Sequence, residues 1–244
     1  MSNPVFLVDA ATSLSAGSTV RLGGDEGRHA AVVRRITVGE VVDLCDGQGC
    51  RGTGAVSAAG KDWIDVALEA VTHEERPKLA ITAVQALAKG DRAELAVEML
   101  TEVGIDAIIP WRAEHSVVKW DNSDKALDKW RRTVREATKQ ARRAYLPQVT
   151  DLHTTDDILE AIAQADLAVI LHESATSALA QIAVPEAGTV LIVIGPEGGI
   201  SPRELEVFAG AGAHVVRMGA SVMRTSTAGA VAAGVILSHT SRWN

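Results

Sequence analysis

The 244-residue chain is predicted to be an α/β protein: a mainly parallel sheet with helices on both faces, preceded by a small β-barrel. Three observations predict this. Over the first seventy or so residues, short β-forming runs alternate with Gly and Asp turns, a spacing that suits a small barrel. From Leu79 onward, strand-like runs alternate with helix-length stretches, which implies βα units. Finally, the β-branched run Thr189-Val190-Leu191-Ile192-Val193 enters a helix through a three-glycine loop, Gly195-Pro196-Glu197-Gly198-Gly199. In an open parallel sheet such a loop lies at the ligand-binding edge.

In chain order, strands are expected at Pro4 to Val8, Thr19 to Leu22, Glu40 to Leu44, Arg51 to Ser57 and Trp63 to Val71, with a helix at Asp25 to Arg34. The charged, proline-bearing segment Thr72 to Lys78 is free of apolar residues and reads as a linker. Leu79 to Leu87 is a strand. Asp91 to Val103 is a helix carrying Leu95, Val97, Met99, Leu100 and Val103, closed by Gly104. A strand at Ile105 to Pro110 and a long helix at Asp124 to Tyr145 follow, then a helix at Thr155 to Ala165 and a strand at Leu167 to Leu171. The last elements are the strand ending at Ile194, a helix from Pro202, a strand at His214 to Met218, and a small-residue helix over Thr227 to Thr240. At the helix from Pro202, Ser201 is the cap and Glu204 completes a capping box.

The glycine loop fits neither G-x-G-x-x-G nor G-x-x-x-x-G-K-[ST], so a dinucleotide or P-loop phosphate site is not supported. A tight strand–helix connection without a ligand fits the bare pattern equally well. Met1-Ser2-Asn3-Pro4 is followed by neither the basic nor the apolar region of a secretory signal, and no apolar run reaches transmembrane length. Two cysteines, Cys45 and Cys50, cannot supply a four-ligand metal site, and no H-x-x-x-H pattern is present. A cytoplasmic protein with reduced thiols, no membrane association and no metal is the plain reading. The net charge of −7 argues weakly against nonspecific nucleic-acid binding, yet Lys125 to Arg143 holds eight basic residues against two acidic ones.

Several segments together resemble the SPOUT class of RNA methyltransferases: the glycine loop, Ser201-Pro202-x-Glu204, and Met218-Gly219-x-x-x-Met223-Arg224-Thr225-x-Thr227-Ala228. The likeness is greatest to the RsmE family. Lys89-Gly90-Asp91-Arg92, Thr101-Glu102-x-Gly104, Glu114-x-Ser116-Val117-Val118-Lys119, and Glu136-Ala137-x-x-Gln140-x-x-Arg143 with Pro147 also resemble its motifs. Departures are Met99 for an expected lysine, His115 for an arginine and Met223 for a leucine. They bear on RNA contact rather than on the cofactor.

The resemblance implies a PUA-like, RNA-binding β-barrel over residues 1–73 and a SPOUT domain over 74–244 ending in a trefoil knot. It implies a homodimer that uses S-adenosylmethionine (SAM) to methylate N3 of a uridine in 16S ribosomal RNA, as free rRNA or in the small subunit. Cofactor contacts are assigned to Leu171, His172, Glu173, Gly195, Pro196, Glu197, Gly199, Ile200, Met218, Gly219, Met223, Arg224, Thr225 and Ala228. By residue type alone, Leu171, Met218 and Met223 read as core; their places beside two glycine-bearing turns favour the cofactor slot.

Methylating N3 requires the uracil imide anion, whose charge spreads onto the flanking carbonyl oxygens. A permanently charged, planar guanidinium suits that role, which makes Arg224 the first catalytic candidate and Arg143 the second, with a phosphate clamp the favoured role for Arg143. Glu197 is either a proton acceptor or a turn-stabilising group. RNA contacts are assigned to Arg28, Arg34, Arg35, Arg135, Lys139, Gln140, Arg142 and Arg143, the 135–143 set recurring at helical spacing. Trp111, Trp120 and Trp130 read first as packing residues and second as base-stacking ones. Two other readings stand beside this one: a SPOUT methyltransferase acting on ribose or tRNA guanine, and a noncatalytic RNA-binding assembly factor.

Overall fold

The computed structural model describes residues 3–120 and 123–243; Met1 and Ser2, part of the segment read for a signal, lie outside them. The chain divides into two compact units, Met1–Arg76 with Thr138–Leu146, and Pro77–Ala137 with Pro147–Asn244.

In the first unit, β1 (Val5–Leu7), β2 (Thr19–Leu22), β3 (Val41–Cys45), β4 (Cys50–Ala59) and β5 (Ile64–His73) form one sheet in the order β1-β3-β4-β5-β2. Only β1 and β3 run parallel. β1 and β2 are the edges of this sheet, so the expected barrel is an open, curled half-barrel. Register shifts at Thr53/Gly54 and Val56/Ala58 bend β4 against β5. Alternation then sends Val42, Leu44, Val56, Ile64, Val66 and Leu68 to the concave core. β5 continues through His73, paired with Cys50, so the first two residues of the expected linker are strand. The expected helix after β2 is a short α1 (Gly24–Arg28) that widens into a π-helix, His29–Val33, closed by Arg34 N–H on the His29 carbonyl (2.9 Å).

The second unit holds β6 (Leu79–Ala86), α2 (Arg92–Val103), β7 (Ala107–Trp111), α3 (Ser123–Gln140), β8 (Gln148–Val149), α4 (Thr155–Gln164), β9 (Leu167–Leu171), β10 (Ser177–Ala178), β11 (Gly188–Ile194), α5 (Pro202–Gly210), β12 (His214–Arg217) and α6 (Thr225–Leu237). Its seven strands are all parallel, in the order β10-β12-β9-β11-β6-β7-β8. β11 sits between β6 and β9 and is buried on both faces from Val190 to Ile194, as its unbroken apolar run requires. One face packs Leu191, Val193, Val84 and Ile170 against Ile158 of α4 and Phe208 of α5. On the other, α6 lies over β11 and β6 and packs on α2, close enough that Gly229 meets Leu100 and Ile194.

On α2 the buried face is Ala93, Ala96, Val97, Leu100 and Thr101, and the expected apolar Leu95 is 43% exposed. The 3.6-residue period selects the first set and turns Leu95 away. Gly104, at φ 111°, closes the helix. α3 stops at Gln140, short of the expected Tyr145. Arg142 turns left-handed (φ 55°), its N–H donates to the Lys139 carbonyl (3.2 Å) and that of Arg143 to Thr138 (3.0 Å). This is a Schellman end with arginine where glycine is usual. Residues 138–146 belong to the first unit, where Leu146 N–H donates to Gly47 and Gly49 N–H to Ala144.

Candidate functional site

Because β12, β9 and β11 are adjacent and parallel, the segments that leave their carboxyl ends meet along one edge of the sheet. Leu171, His172 and Glu173 leave β9, residues 194–200 leave β11, and residues 217–224 lead from β12 into α6. Together they enclose a cavity of about 430 Å3. All fourteen residues assigned above to cofactor contact line it. Leu171 and Met218 are half-buried and Met223 is 37% exposed, so they form cavity wall rather than core. Arg92, the first residue of α2, lines the cavity too, as do Arg217 and Ser221. Arg92 belongs to the Lys89–Arg92 motif, which was the available signal; Arg217 and Ser221 carry no local signature.

The glycine loop follows a path that residues with side chains would not adopt freely. Gly199 has φ 75°, and a Cβ at Gly198 would lie 3.0 Å from the Cβ and carbonyl oxygen of His115. Three tethers fix it. Glu197 Oε1 accepts the N–H of Lys89 (3.1 Å), the turn-stabilising role considered for that carboxylate. His115 Nδ1 donates to the Gly198 carbonyl (3.1 Å). At the far end the capping box is formed: Glu204 N–H donates to Ser201 Oγ (3.2 Å), and Ser201 N–H to Glu204 Oε2 (3.1 Å). Glu204 is 1% exposed, and its Oε1 also accepts from Glu114 N–H (2.8 Å) and Thr155 Oγ1 (3.0 Å). Ser201 Oγ in turn donates to Glu114 Oε2 (2.7 Å). The segment after β7 is thereby locked to the start of α5.

On the β9 side, His172 Nδ1 accepts from Ser174 N–H (3.3 Å), which leaves the ring proton on Nε2. On the α6 side, Thr225 Oγ1 donates to the Gly195 carbonyl (2.7 Å), joining the start of α6 to the glycine loop. Arg224 precedes α6 as its N-cap residue without a side-chain cap, so the positive end of the helix dipole lies beside the cavity, and the Arg224 side chain is exposed there.

In the first unit, Arg28, Arg34, Arg35, Gln140 and Arg142 are exposed and Arg143 is half-buried. Arg143 is not among the cavity-lining residues. Lys139 departs from the expected RNA-facing stripe: its side chain is 8% exposed and its ammonium lies 2.9 Å from Glu26 Oε1. A buried cation keeps its charge by pairing, and this pairing removes Lys139 from the surface. Arg135, in the second unit, is half-buried. Trp111 and Trp130 are buried, Trp111 against Phe208 and Trp130 edge-on to Trp120, which makes packing residues of both. Among the described residues no cluster of His, Cys, Asp and Glu could hold a metal, and no helix is long and apolar enough to cross a membrane.

Comparison with known proteins accords with this architecture. A family profile described as an RNA methyltransferase domain matches residues 74–237, and one described as an RNA methyltransferase PUA domain matches residues 22–69. Ribosomal RNA small subunit methyltransferase E of Mycobacterium tuberculosis is 42% identical over 98% of this chain and 93% of its own length. The Bacillus subtilis protein of that name is 29% identical over 86% of each. Among solved structures, the methyltransferase Lpg2936 of Legionella pneumophila, with bound SAM, superposes with a TM-score of 0.90 at 26% identity, covering 98% of this chain and 99% of that one. The Neisseria gonorrhoeae ribosomal RNA small subunit methyltransferase E, bound to S-adenosyl methionine, gives 0.87 at 26% identity over 97% and 98%. With the parallel sheet, the half-barrel and the glycine-loop cavity in place, these matches establish that the chain belongs to the RsmE family of ribosomal RNA small subunit methyltransferases.

Proposed function

We propose that the cavity binds SAM and that the chain transfers its methyl group to N3 of a uridine in 16S rRNA. The observation that carries this reading is the convergence of Leu171–Glu173, Gly195–Ile200 and Met218–Ala228 on one cavity. Its volume falls in the range of small-molecule sites. Half-buried Leu171 and buried Ile200 and Ala228 offer apolar walls for an adenine, while the glycine loop offers unobstructed backbone donors and acceptors. SAM supplies an activated methyl group. Arg224 faces the developing charge on a uracil oxygen and favours the imide anion. Arg143, outside the cavity lining, serves as a phosphate clamp. Arg28, Arg34, Arg35, Gln140 and Arg142 on the first unit and Arg135 on the second contact RNA, positioning the strand through its backbone.

The same reading takes residues 1–73 as the RNA-binding domain and 74–244 as the methyltransferase domain, the latter tied in a trefoil knot. The packing of α6 onto β11 and β6 supports the knot. A homodimer is supported by the exposed apolar side chains Val222 (77%), Met223 (37%) and Val231 (39%) of this unit. The enzyme works in the cytoplasm.

Titration calorimetry with SAM, followed by mass mapping of the nucleoside made on undermethylated small subunits, tests the proposal. Saturable binding and a 3-methyluridine product are expected. A ribose- or guanine-methylated product would reassign the substrate, and absence of SAM binding would favour an assembly factor.

A further inference from the structure

Gln85 is a polar residue with no exposure, placed on β6 among buried Val84, Ala86 and Leu87. It stands opposite Ile194, the last residue of β11, where the glycine loop departs. Its Nε2 donates to the Ala86 carbonyl (3.1 Å) and to Thr225 Oγ1 (3.0 Å). Thr225 Oγ1 spends its own proton on the Gly195 carbonyl (2.7 Å). The direction of this chain is therefore fixed. An hydroxyl that has given its proton to a carbonyl can only accept from Gln85, so the amide must present its NH2 there. Rotating the amide would set oxygen against oxygen at Ala86 and at Thr225. In the orientation that remains, Gln85 Oε1 is buried without a hydrogen-bond partner among the described residues.

An orphaned buried carbonyl destabilises a core, and an apolar side chain of the same length would avoid it. A residue that breaks this rule beside a site is placed there for the site. We propose that Gln85 is a positioning residue for methyl transfer: through Thr225 it clamps the glycine loop to the start of α6, setting the gap between the two cavity walls and the aim of Arg224. Gln85 does not line the cavity and acts only through Thr225. The proposal rests on the reading of this cavity as the SAM site.

The test compares Gln85→Met, Thr225→Val, Thr225→Ser and the Gln85→Met/Thr225→Val double variant with the unmodified protein. It reads melting temperature, SAM affinity by calorimetry, kcat at saturating SAM and RNA, and hydrogen exchange of the amides of residues 195–200. Gln85→Met is expected to melt at or above the wild-type temperature, because the orphaned carbonyl is gone, while kcat falls about tenfold and loop exchange quickens. A residue serving stability alone would not separate those readouts. Thr225→Ser retains the relaying hydroxyl and keeps the slow loop exchange of the unmodified protein, Thr225→Val quickens that exchange as Gln85→Met does, and the double variant exchanges no faster than either. Wild-type kcat and exchange in Gln85→Met, or losses that multiply in the double variant, overturn the relay. Should Gln85→Met not fold, equal kcat in Thr225→Ser and Thr225→Val overturns it instead. If the unmodified protein ignores SAM, the cofactor reading fails, and loop exchange in the same variants still decides whether the clamp exists.

Discussion

At the scale of single residues, side chains sort into those that hold the cavity and those that face a ligand. Arg224, exposed at the uncapped start of α6 and on the cavity lining, is of the second kind in the function proposed above. Arg224→Ala is expected to leave SAM affinity within about threefold while lowering turnover about a hundredfold, the loss typical of removing one donor to a developing oxyanion. Unchanged turnover at saturating RNA would remove Arg224 from the chemistry. Arg35 presents a different case, an exposed arginine at φ 55°. Left-handed backbone costs a side-chain-bearing residue roughly 1 kcal/mol, so Arg35→Gly should hold or raise stability by up to that amount while weakening RNA binding. Denaturant midpoints beside RNA titrations read both effects, and undiminished binding would count Arg35 out as an RNA contact. Burial pushes the Cys45 thiol up to about 11, whereas Cys50 is less buried, so a thiol reagent at neutral pH should label Cys50 well before Cys45.

At the scale of elements, the capping box on α5 also anchors the glycine loop, so its loss should register twice. Ser201→Ala should cost about 1 kcal/mol of stability. Glu204→Ala strips acceptors from the Ser201 and Glu114 amides and should cost about 1–3 kcal/mol, with weaker SAM binding in both variants, measurable by thermal melts and calorimetry. A second box, Thr154 with Asp157, starts α4, and Asp166 similarly accepts from Thr189. Hydrogen bonds from Thr154 and Thr189 hold the Asp157 and Asp166 carboxyls below their ordinary 3.8. A depressed carboxyl contributes stability that is present above 3.8 and lost as pH falls through the lower folded value. Asp166→Asn should flatten the acid limb of the stability curve. What the sequence made legible at this scale was local: the Ser201–Glu204 spacing, the β11 run and Gly104 each signal through residues a few positions apart. The ends of α3 and β5 were not, because Arg142 adopts a backbone shape that its residue type does not advertise and because His73 is strand only by pairing with Cys50. The two-residue strands β8 and β10 are too short to show a period.

For the whole molecule, the acidic net charge hides its basic surfaces. Replacing Arg28, Arg34 and Arg35 with glutamate should weaken RNA binding and flatten its dependence on salt by about 0.7 per lost phosphate contact on single-stranded RNA. An unaltered slope would leave these arginines as solvent-facing charge alone. Lys139 does not belong in that set, since its reversal would set a carboxylate against Glu26 in a buried site. A helical stripe read from sequence could not reveal that pairing, whose partners are 113 positions apart. Long-range partners are likewise why the sequence disclosed the cavity's loops but not the Gln85 relay, which joins residues 140 positions apart.

The first unit is assembled from two stretches of chain, with Ala144, Tyr145 and Leu146 bonded to the β3–β4 turn and to Glu74. A gene fragment starting at Pro77 would consequently carry a piece of its missing neighbour, stripped of the hydrogen bonds that hold it. Nor could the half-barrel be grafted onto another enzyme as a single amino-terminal cassette. Any exchange of the half-barrel between relatives would have to move both stretches at once, so the split path couples the inheritance of one unit to that of the other.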